Sequence, residues 1–242
     1  MRLDQYISQK LWVSRNRAQF FIEQEKIEVN KKIITKTAYQ VQEWDEVIHH
    51  IDEINYVSRS ALKLKRFLEH EDISVKDCVC LDIGASTGGF TQILIEKQAQ
   101  KIYAVDVGTS QLHHTLRNHE KIVSIENTDI RILDKNLLPN QIDCIVCDVS
   151  FISLHMIIDS IIDLMNAETK AILLFKPQFE VGNHYITKKW VVKDEKIIKE
   201  TFTHFVLQLQ KKWVKIVLEK PSFLLWENGN REIFVLITKV WI

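Results

Sequence analysis

Apolar residues recur along the first fifty positions at two different periods. Leu3, Tyr6, Ile7 and Leu11 fall at helical spacing, and Ala18, Phe21 and Ile22 do so again. The second set predicts a helix opening after Ser14, whose hydroxyl suits an N-cap, with Arg15 and Arg17 near its start. Lys26–Val29 alternates like a strand, Asn30-Lys31 supplies a turn, and Lys32–Lys36 returns as the other arm of a hairpin. Val41–Ile48 offers a further strand. From about Ile51 the pattern changes, and buried-type strands alternate with amphipathic helices to the end. The expected strands are Val79–Ile83, Ile102–Val105, Val123–Glu126, Cys144–Cys147, Ala171–Phe175, Val214–Glu219 and Glu232–Lys239. The helices between them are Ser58–Glu69, Phe90–Lys97, Leu154–Met165 and Asp194–Gln210. The last two strands have no helix between them, so one of them runs antiparallel.

This predicts an α/β chain: a Rossmann-like sheet of seven strands with a reversed last hairpin, an arrangement that fits methyltransferases better than dehydrogenases, preceded by a small α+β domain. The expected boundaries are 1–50 for the small domain, 51–59 for a linker and 60–242 for the large one. Composition fits: 242 residues, 46% hydrophobic and 26% charged, with only 6 Gly and 3 Pro. Lys+Arg and Asp+Glu are both 32, which excludes a globally basic nucleic-acid binder but not a local basic face. No apolar run approaches a bilayer span, and the first residues lack a signal-peptide core, so a cytoplasmic location without membrane contact is expected. The four cysteines fall in or beside strands and read as small buried hydrophobes rather than a metal site.

Three stretches carry candidate chemistry. In the first, residues 2–48 hold eight Lys/Arg against seven Asp/Glu. Arg2, Arg15, Arg17, Lys31, Lys32 and Lys36 stand apart in sequence from the acidic cluster Glu43, Asp45 and Glu46. A basic face opposite an acidic edge suits an RNA phosphate backbone. In the second, Gly84-Ala-Ser86-Thr-Gly88-Gly89 joins a strand to the helix beginning at Phe90, and Asp106 ends the next strand. Such an acid accepts hydrogen bonds from a ribose. Both NAD and S-adenosyl-L-methionine carry one. The middle glycine that a pyrophosphate needs is replaced by Ser86, and Asp82 would repel phosphate while holding an ammonium, so the loop favours S-adenosylmethionine. Asp129 follows the third strand and is either an adenine contact or a turn cap. In the third, Asp148 and Lys176 each end a strand at the carboxyl edge, where open α/β sheets bind ligands.

The order Arg2-Leu-Asp4, Ser14-Arg15, helix, hairpin resembles the small RNA-binding fold named for ribosomal protein S-four, with Lys31 where that family favours glycine. Ser58-Arg-Ser-Ala-Leu-Lys63, Leu81–Thr91, Cys147–Ser153, Lys176-Pro-Gln-Phe-Glu180 and Gly229-Asn-Arg-Glu232 resemble FtsJ-type ribose 2′-O-methyltransferases, and most closely the TlyA (hemolysin A) family. That resemblance implies a Lys-Asp-Lys-Glu tetrad at Lys63, Asp148, Lys176 and Glu232, and methylation of ribosomal RNA, free or in ribosomal subunits, at cytidine riboses. Lys176 is expected either as the proton acceptor, with its pKa lowered by burial and by Lys63, or as the group that steers the hydroxyl lone pair, with Asp148 and Glu232 orienting the two lysines. The chain departs from the family at Lys188-Lys-Trp-Val-Val192 and at Pro221–Gly229, which lack the usual glycines. The competing expectations are an RNA-binding protein with an inactive methyltransferase domain and a membrane-lysing protein.

Overall fold

The computed structural model describes residues 1–11, 13, 15–50, 56–139, 141–188, 190–222 and 230–240. Ser14, most of the expected linker and residues 223–229 lie outside the described residues. Contacts divide the chain into two compact units, Met1–Asn55 and Tyr56–Ile242.

The N-terminal unit begins with helices α1 (Leu3–Lys10) and α2 (Arg15–Glu23). A three-stranded antiparallel sheet follows, of β1 (Ile27–Val29), β2 (Lys32–Ile33) and β3 (Val47–His49), in the order β2-β1-β3. The strands are shorter than the alternation predicted. β2 ends at Ile33, and only the last residues of the Val41–Ile48 stretch pair. The hairpin turns on Asn30 (φ 51) and Lys31 (φ 63), a two-residue turn with both central residues left-handed. Leu3, Ile7, Ala18, Phe21, Ile22, Ile27 and Val29 form its core, combining the helical and strand periods seen in the sequence.

The second unit opens with α3 (Ser60–His70). The chain then alternates β4 (Val79–Ile83), α4 (Gly89–Glu96), β5 (Lys101–Val105), α5 (His114–Arg117), β6 (Ile122–Ile125), β7 (Cys144–Cys147), α6 (Leu154–Leu164), β8 (Lys170–Phe175), α7 (Pro177–Glu180), α8 (Glu195–Gln210), β9 (Val214–Pro221) and β10 (Ile233–Lys239). The sheet order is β6-β5-β4-β7-β8-β10-β9. β4 to β8 are parallel, and β10 is antiparallel to both β8 and β9. The reversed strand is therefore the last one, slotted inside the edge.

Alternation along each strand sends one set of side chains to each face. Cys80, Cys144, Val146, Ile172 and Leu174 pack with residues of α3 and α4. Leu81, Ile83, Ile145, Cys147 and Leu173 pack with residues of α6 and α8. The four thiols are free and serve these two cores. Among the described residues there is no metal-binding cluster, and no helix is long and apolar enough to cross a membrane.

Candidate active site

The carboxyl ends of β4, β5, β7 and β8 carry the candidate residues. Gly84 follows β4 with φ +80, and a Cβ there would lie 2.9 Å from the Asp148 carbonyl oxygen. Only a glycine lets the loop pass this close to the end of β7. Gly88, at φ +96, caps α4. Ser86 is left-handed too (φ 48), and its N–H donates to Asp106 at 2.8 Å. The other Asp106 oxygen accepts from the Gly108 N–H at 2.7 Å.

Four ionisable side chains meet beside this loop. Lys176 Nζ lies 2.6 Å from Asp148 Oδ1 and donates to Ser150 Oγ at 3.0 Å. Lys63, on the inner side of α3, donates to Glu232 Oε2 at 2.6 Å. Lys63, Lys176 and Glu232 are buried. Burial disfavours the Asp148 carboxylate, but Lys176 and Lys63 outweigh it and hold its pKa below the ordinary value. Burial disfavours the Lys176 ammonium, but Asp148 and Glu232 outweigh it and hold its pKa above the ordinary value. The expected lowering of Lys176 is thus reversed: two carboxylates sit closer to the ammonium than the sequence disclosed. Glu232 is pushed up by burial, although Lys63 and Lys176 pull against it. Its Oε1 finds no hydrogen-bond partner among the described residues.

Two adjoining cavities open here. One, of about 260 Å³, is lined by Ser58, Lys63, Phe90, Lys176 and neighbours; the other, of about 280 Å³, by Asp106, Gln111, Asp129, Ile130 and neighbours. Gly84, Ser86, Asp148 and Ser150 line both. The second combines a carboxylate with apolar walls from Val105, Val107, Ile130 and Ile152. That donor set fits a nucleoside: a flat base against apolar surface and ribose hydroxyls at Asp106.

Not every expected cofactor residue reaches a wall. Asp82 has no exposed surface and lines neither cavity. It shares the Cys80 face of β4 and accepts from Thr91 Oγ1 at 2.6 Å, beneath α4. Gly88 and Gly89 shape the start of α4 without lining a cavity. Asp129 caps a short turn through the Arg131 N–H at 2.9 Å and pairs with that guanidinium at 2.5 Å, while still lining the second cavity. Asp129 thus caps a turn at the wall of the second cavity.

Ser150, Thr91, Glu180 and Asn230 were not singled out by sequence. Glu180 accepts from Ser153 Oγ and from the Leu154 N–H, tying the end of α7 to the start of α6. Its place in Lys176-Pro-Gln-Phe-Glu180 was the available signal.

In the N-terminal unit, Arg2 and Arg15 do not stand free. Both meet the buried Asp4, at 3.0 and 2.9 Å. Arg17 lies over the Phe21 ring, 5.7 Å from its centroid. Lys31, Lys32 and Lys36 are exposed. The expected separation of basic face and acidic edge fails at the hairpin, because Asn30 donates to Asp45 at 2.7 Å. Pairing of β3 with β1 carries the acidic turn back beside residues 30 and 31.

A mostly parallel seven-stranded sheet, with a cavity lined by a carboxylate and apolar side chains at its carboxyl edge, is the architecture of an α/β methyltransferase domain, here preceded by a small α+β unit. A family model for FtsJ-like methyltransferases matches residues 56–239, and one for the S4 domain matches residues 1–47. The chain belongs to the TlyA-type branch of the FtsJ-like methyltransferases. It is 41% identical to a Campylobacter jejuni protein named 23S rRNA (cytidine-2′-O)-methyltransferase TlyA, over 99% of this chain and 100% of the relative. A Mycobacterium tuberculosis relative named 16S/23S rRNA (cytidine-2′-O)-methyltransferase TlyA is 36% identical over 74% of this chain and 67% of its own length. A solved Streptococcus thermophilus structure named for hemolysin superposes with TM-score 0.77 at 28% identity, covering 99% of this chain and 88% of that one.

Proposed function

We propose that this protein transfers the methyl group of S-adenosylmethionine to the 2′-hydroxyl of a cytidine ribose in 23S ribosomal RNA, in the cytoplasm, bound as free RNA or within the large subunit. The observation that carries the reading is the meeting of Lys63, Asp148, Lys176 and Glu232 beside a cavity lined by Asp106 and apolar side chains. The full-length similarity to the C. jejuni enzyme supports the substrate.

Asp106 and the apolar walls of the second cavity hold the adenosyl group, and the first cavity receives the acceptor ribose. The bound cofactor supplies an electrophilic methyl group. The protein's task is then to align oxygen with methyl and to remove a proton. Alignment is worth several kcal/mol, up to roughly 7–11 in well-oriented systems. Lys176 meets the ribose as an ammonium, since Asp148 holds it charged. Its N–H engages one lone pair of the 2′-oxygen and leaves the other aimed at the methyl carbon. The new C–O bond would form as the methyl–sulfur bond breaks, the sulfur keeping its electron pair, and the hydroxyl proton would be lost. Glu232, raised by burial and with one oxygen unpartnered, takes it through Lys63. Lys31, Lys32 and Lys36 of the N-terminal unit, which are exposed, bind the RNA phosphates, while Arg2 and Arg15 stay on Asp4 and Arg17 stays over Phe21.

Mass-spectrometric mapping of ribose methylation, after incubating the protein with S-adenosylmethionine and 23S RNA or large subunits, tests the proposal. One new 2′-O-methylcytidine is expected. Methylation on a base, or none on any RNA, overturns it.

A further inference from the structure

Between α7 and α8 the chain forms an arm whose sequence, positions 181–193, has Lys188, Lys189 and Lys193 and no acidic residue; Lys189 itself lies outside the described residues. Ile186 bridges to Val192, and the Thr187 N–H donates to the Val191 carbonyl at 3.0 Å, closing a small loop. Within it, Trp190 sits at φ +60, a left-handed backbone that a bulky residue rarely adopts, and its side chain stays exposed. Phe151 repeats the combination. It has φ +65, is 78% exposed, and follows Asp148 and Ser150 in the wall of the second cavity. The two rings meet edge to face, with centroids 5.7 Å apart and an interplanar angle of 88°. Phe179 joins them at 5.2 Å from Phe151 and 6.0 Å from Trp190. Lys176 Nζ lies 5.9 Å from the Phe179 centroid, so the cluster adjoins the tetrad directly.

The arm is fixed from the other side. The buried Asn230 donates through Nδ2 to the Trp190 carbonyl at 2.5 Å and accepts the Val192 N–H on Oδ1 at 3.0 Å. Asn230 lies two residues before Glu232, so the segment that bears Glu232 also sets the position of Trp190.

Exposed aromatic rings normally hide in a core or meet a partner. Here two of them are held outward in disfavoured backbone conformations beside the proposed transfer site, and the arm that carries Trp190 bears only positive charge. We propose that Trp190, with Phe151 and Phe179, forms an aromatic shelf on which a nucleobase of the substrate RNA stacks, next to the ribose that is methylated. Flat, polarisable bases stack on such rings, and the lysines meet the flanking phosphates. This rests on the proposed action on RNA and adds the contact that presents the nucleotide.

The test uses the full chain, with a twelve-nucleotide oligocytidylate RNA for binding and ribosomal RNA for activity. Trp190→Ala is expected to weaken oligonucleotide binding about tenfold, the scale of one lost base stack. It also slows methyl transfer at least as much, while binding of radiolabelled S-adenosylmethionine and the melting temperature stay at wild-type values. Trp190→Phe keeps a ring and falls between. The protein has six tryptophans, so the difference between wild-type and Trp190→Phe fluorescence isolates Trp190, and the oligonucleotide should quench it. Unchanged affinity together with no quenching overturns the shelf. So does a loss that accompanies a lower melting temperature. Binding and quenching by a wild-type protein that methylates no RNA would leave the shelf standing and reject the proposed reaction.

Discussion

Asp4 in the N-terminal unit and Asp82 in the C-terminal sheet are both closed to solvent, yet their carboxyls lie on opposite sides of the ordinary range. Asp4 accepts from Arg2 at 3.0 Å, Arg15 at 2.9 Å, Gln19 at 2.8 Å and the Gln5 N–H at 2.9 Å. The Arg2 hydrogen bond leads these in holding it well below the usual carboxylate value. Asp82 is met only by Thr91 among the described residues, with Asp148 and Asp106 nearby, and burial pushes it up to about 7. Enclosure alone therefore does not fix the charge of a carboxylate; the number of donors around it does. Asp148 takes the Asp4 solution with lysines in place of arginines.

The largest test turns Asp148 toward the Asp82 condition. Lys176→Ala removes the cation 2.6 Å from Asp148 and the donor that orients the ribose oxygen. Single-turnover methyl transfer should fall by about 10²–10³-fold, the scale of one preorganised donor at the reacting oxygen. S-adenosylmethionine affinity should stay within a few fold. Turnover comparable to wild type would remove Lys176 from the reaction.

Asp82→Asn comes next. A carboxyl raised to about 7 binds its proton more tightly in the folded protein than in the unfolded chain, where the value is about 3.9. Wild-type stability relative to Asp82→Asn should therefore be greatest below pH 4, fall as pH rises to about 7, and be flat above. The total is at most roughly 4 kcal/mol. Urea unfolding across that range reads it, and a wild-type advantage that instead grows as pH rises through 4 would place Asp82 with Asp4.

Asp4→Asn should show the opposite sign at smaller size. A depressed carboxyl contributes stability that is present above the unfolded value near 4 and lost as pH falls below it. The variant should be destabilised by about 2 kcal/mol at neutral pH, the scale of losing a charged acceptor, and the gap should close in strong acid.

How much of this was open to sequence reading follows from the same physics. Asp106, Asp148 and Lys176 end strands, and strand ends at a carboxyl edge are predictable from period and topology. Lys63 and Glu232 are separated by 169 positions, and only their match to a known motif set suggested that they meet. Alternation puts Asp82 on the α4 face of β4, a direction the glycine loop does not reveal. The direction of the Lys176 shift depends on distances to two carboxylates, which no spacing rule provides. Positive φ at Phe151 and Trp190 has no sequence signature at all; Lys31 was different, since its turn was visible from the hairpin.

Lys31 also supplies the smallest test, because there a charge is held by strained backbone rather than by partners. At φ 63 its Cβ crowds the backbone, a strain that glycine avoids. Lys31→Gly should therefore stabilise the protein, but by less than about 1 kcal/mol, because glycine also frees the unfolded chain. If the side chain meets an RNA phosphate, the same change removes one counterion-releasing contact. The logarithmic dependence of RNA affinity on salt should then lose about one unit of slope. The two measurements move in opposite senses, giving a firmer fold that binds RNA less well, so neither can be mistaken for the other. A stabilised variant with an unchanged salt slope would take Lys31 out of the RNA interface and leave Lys32 and Lys36 as the cations the hairpin offers.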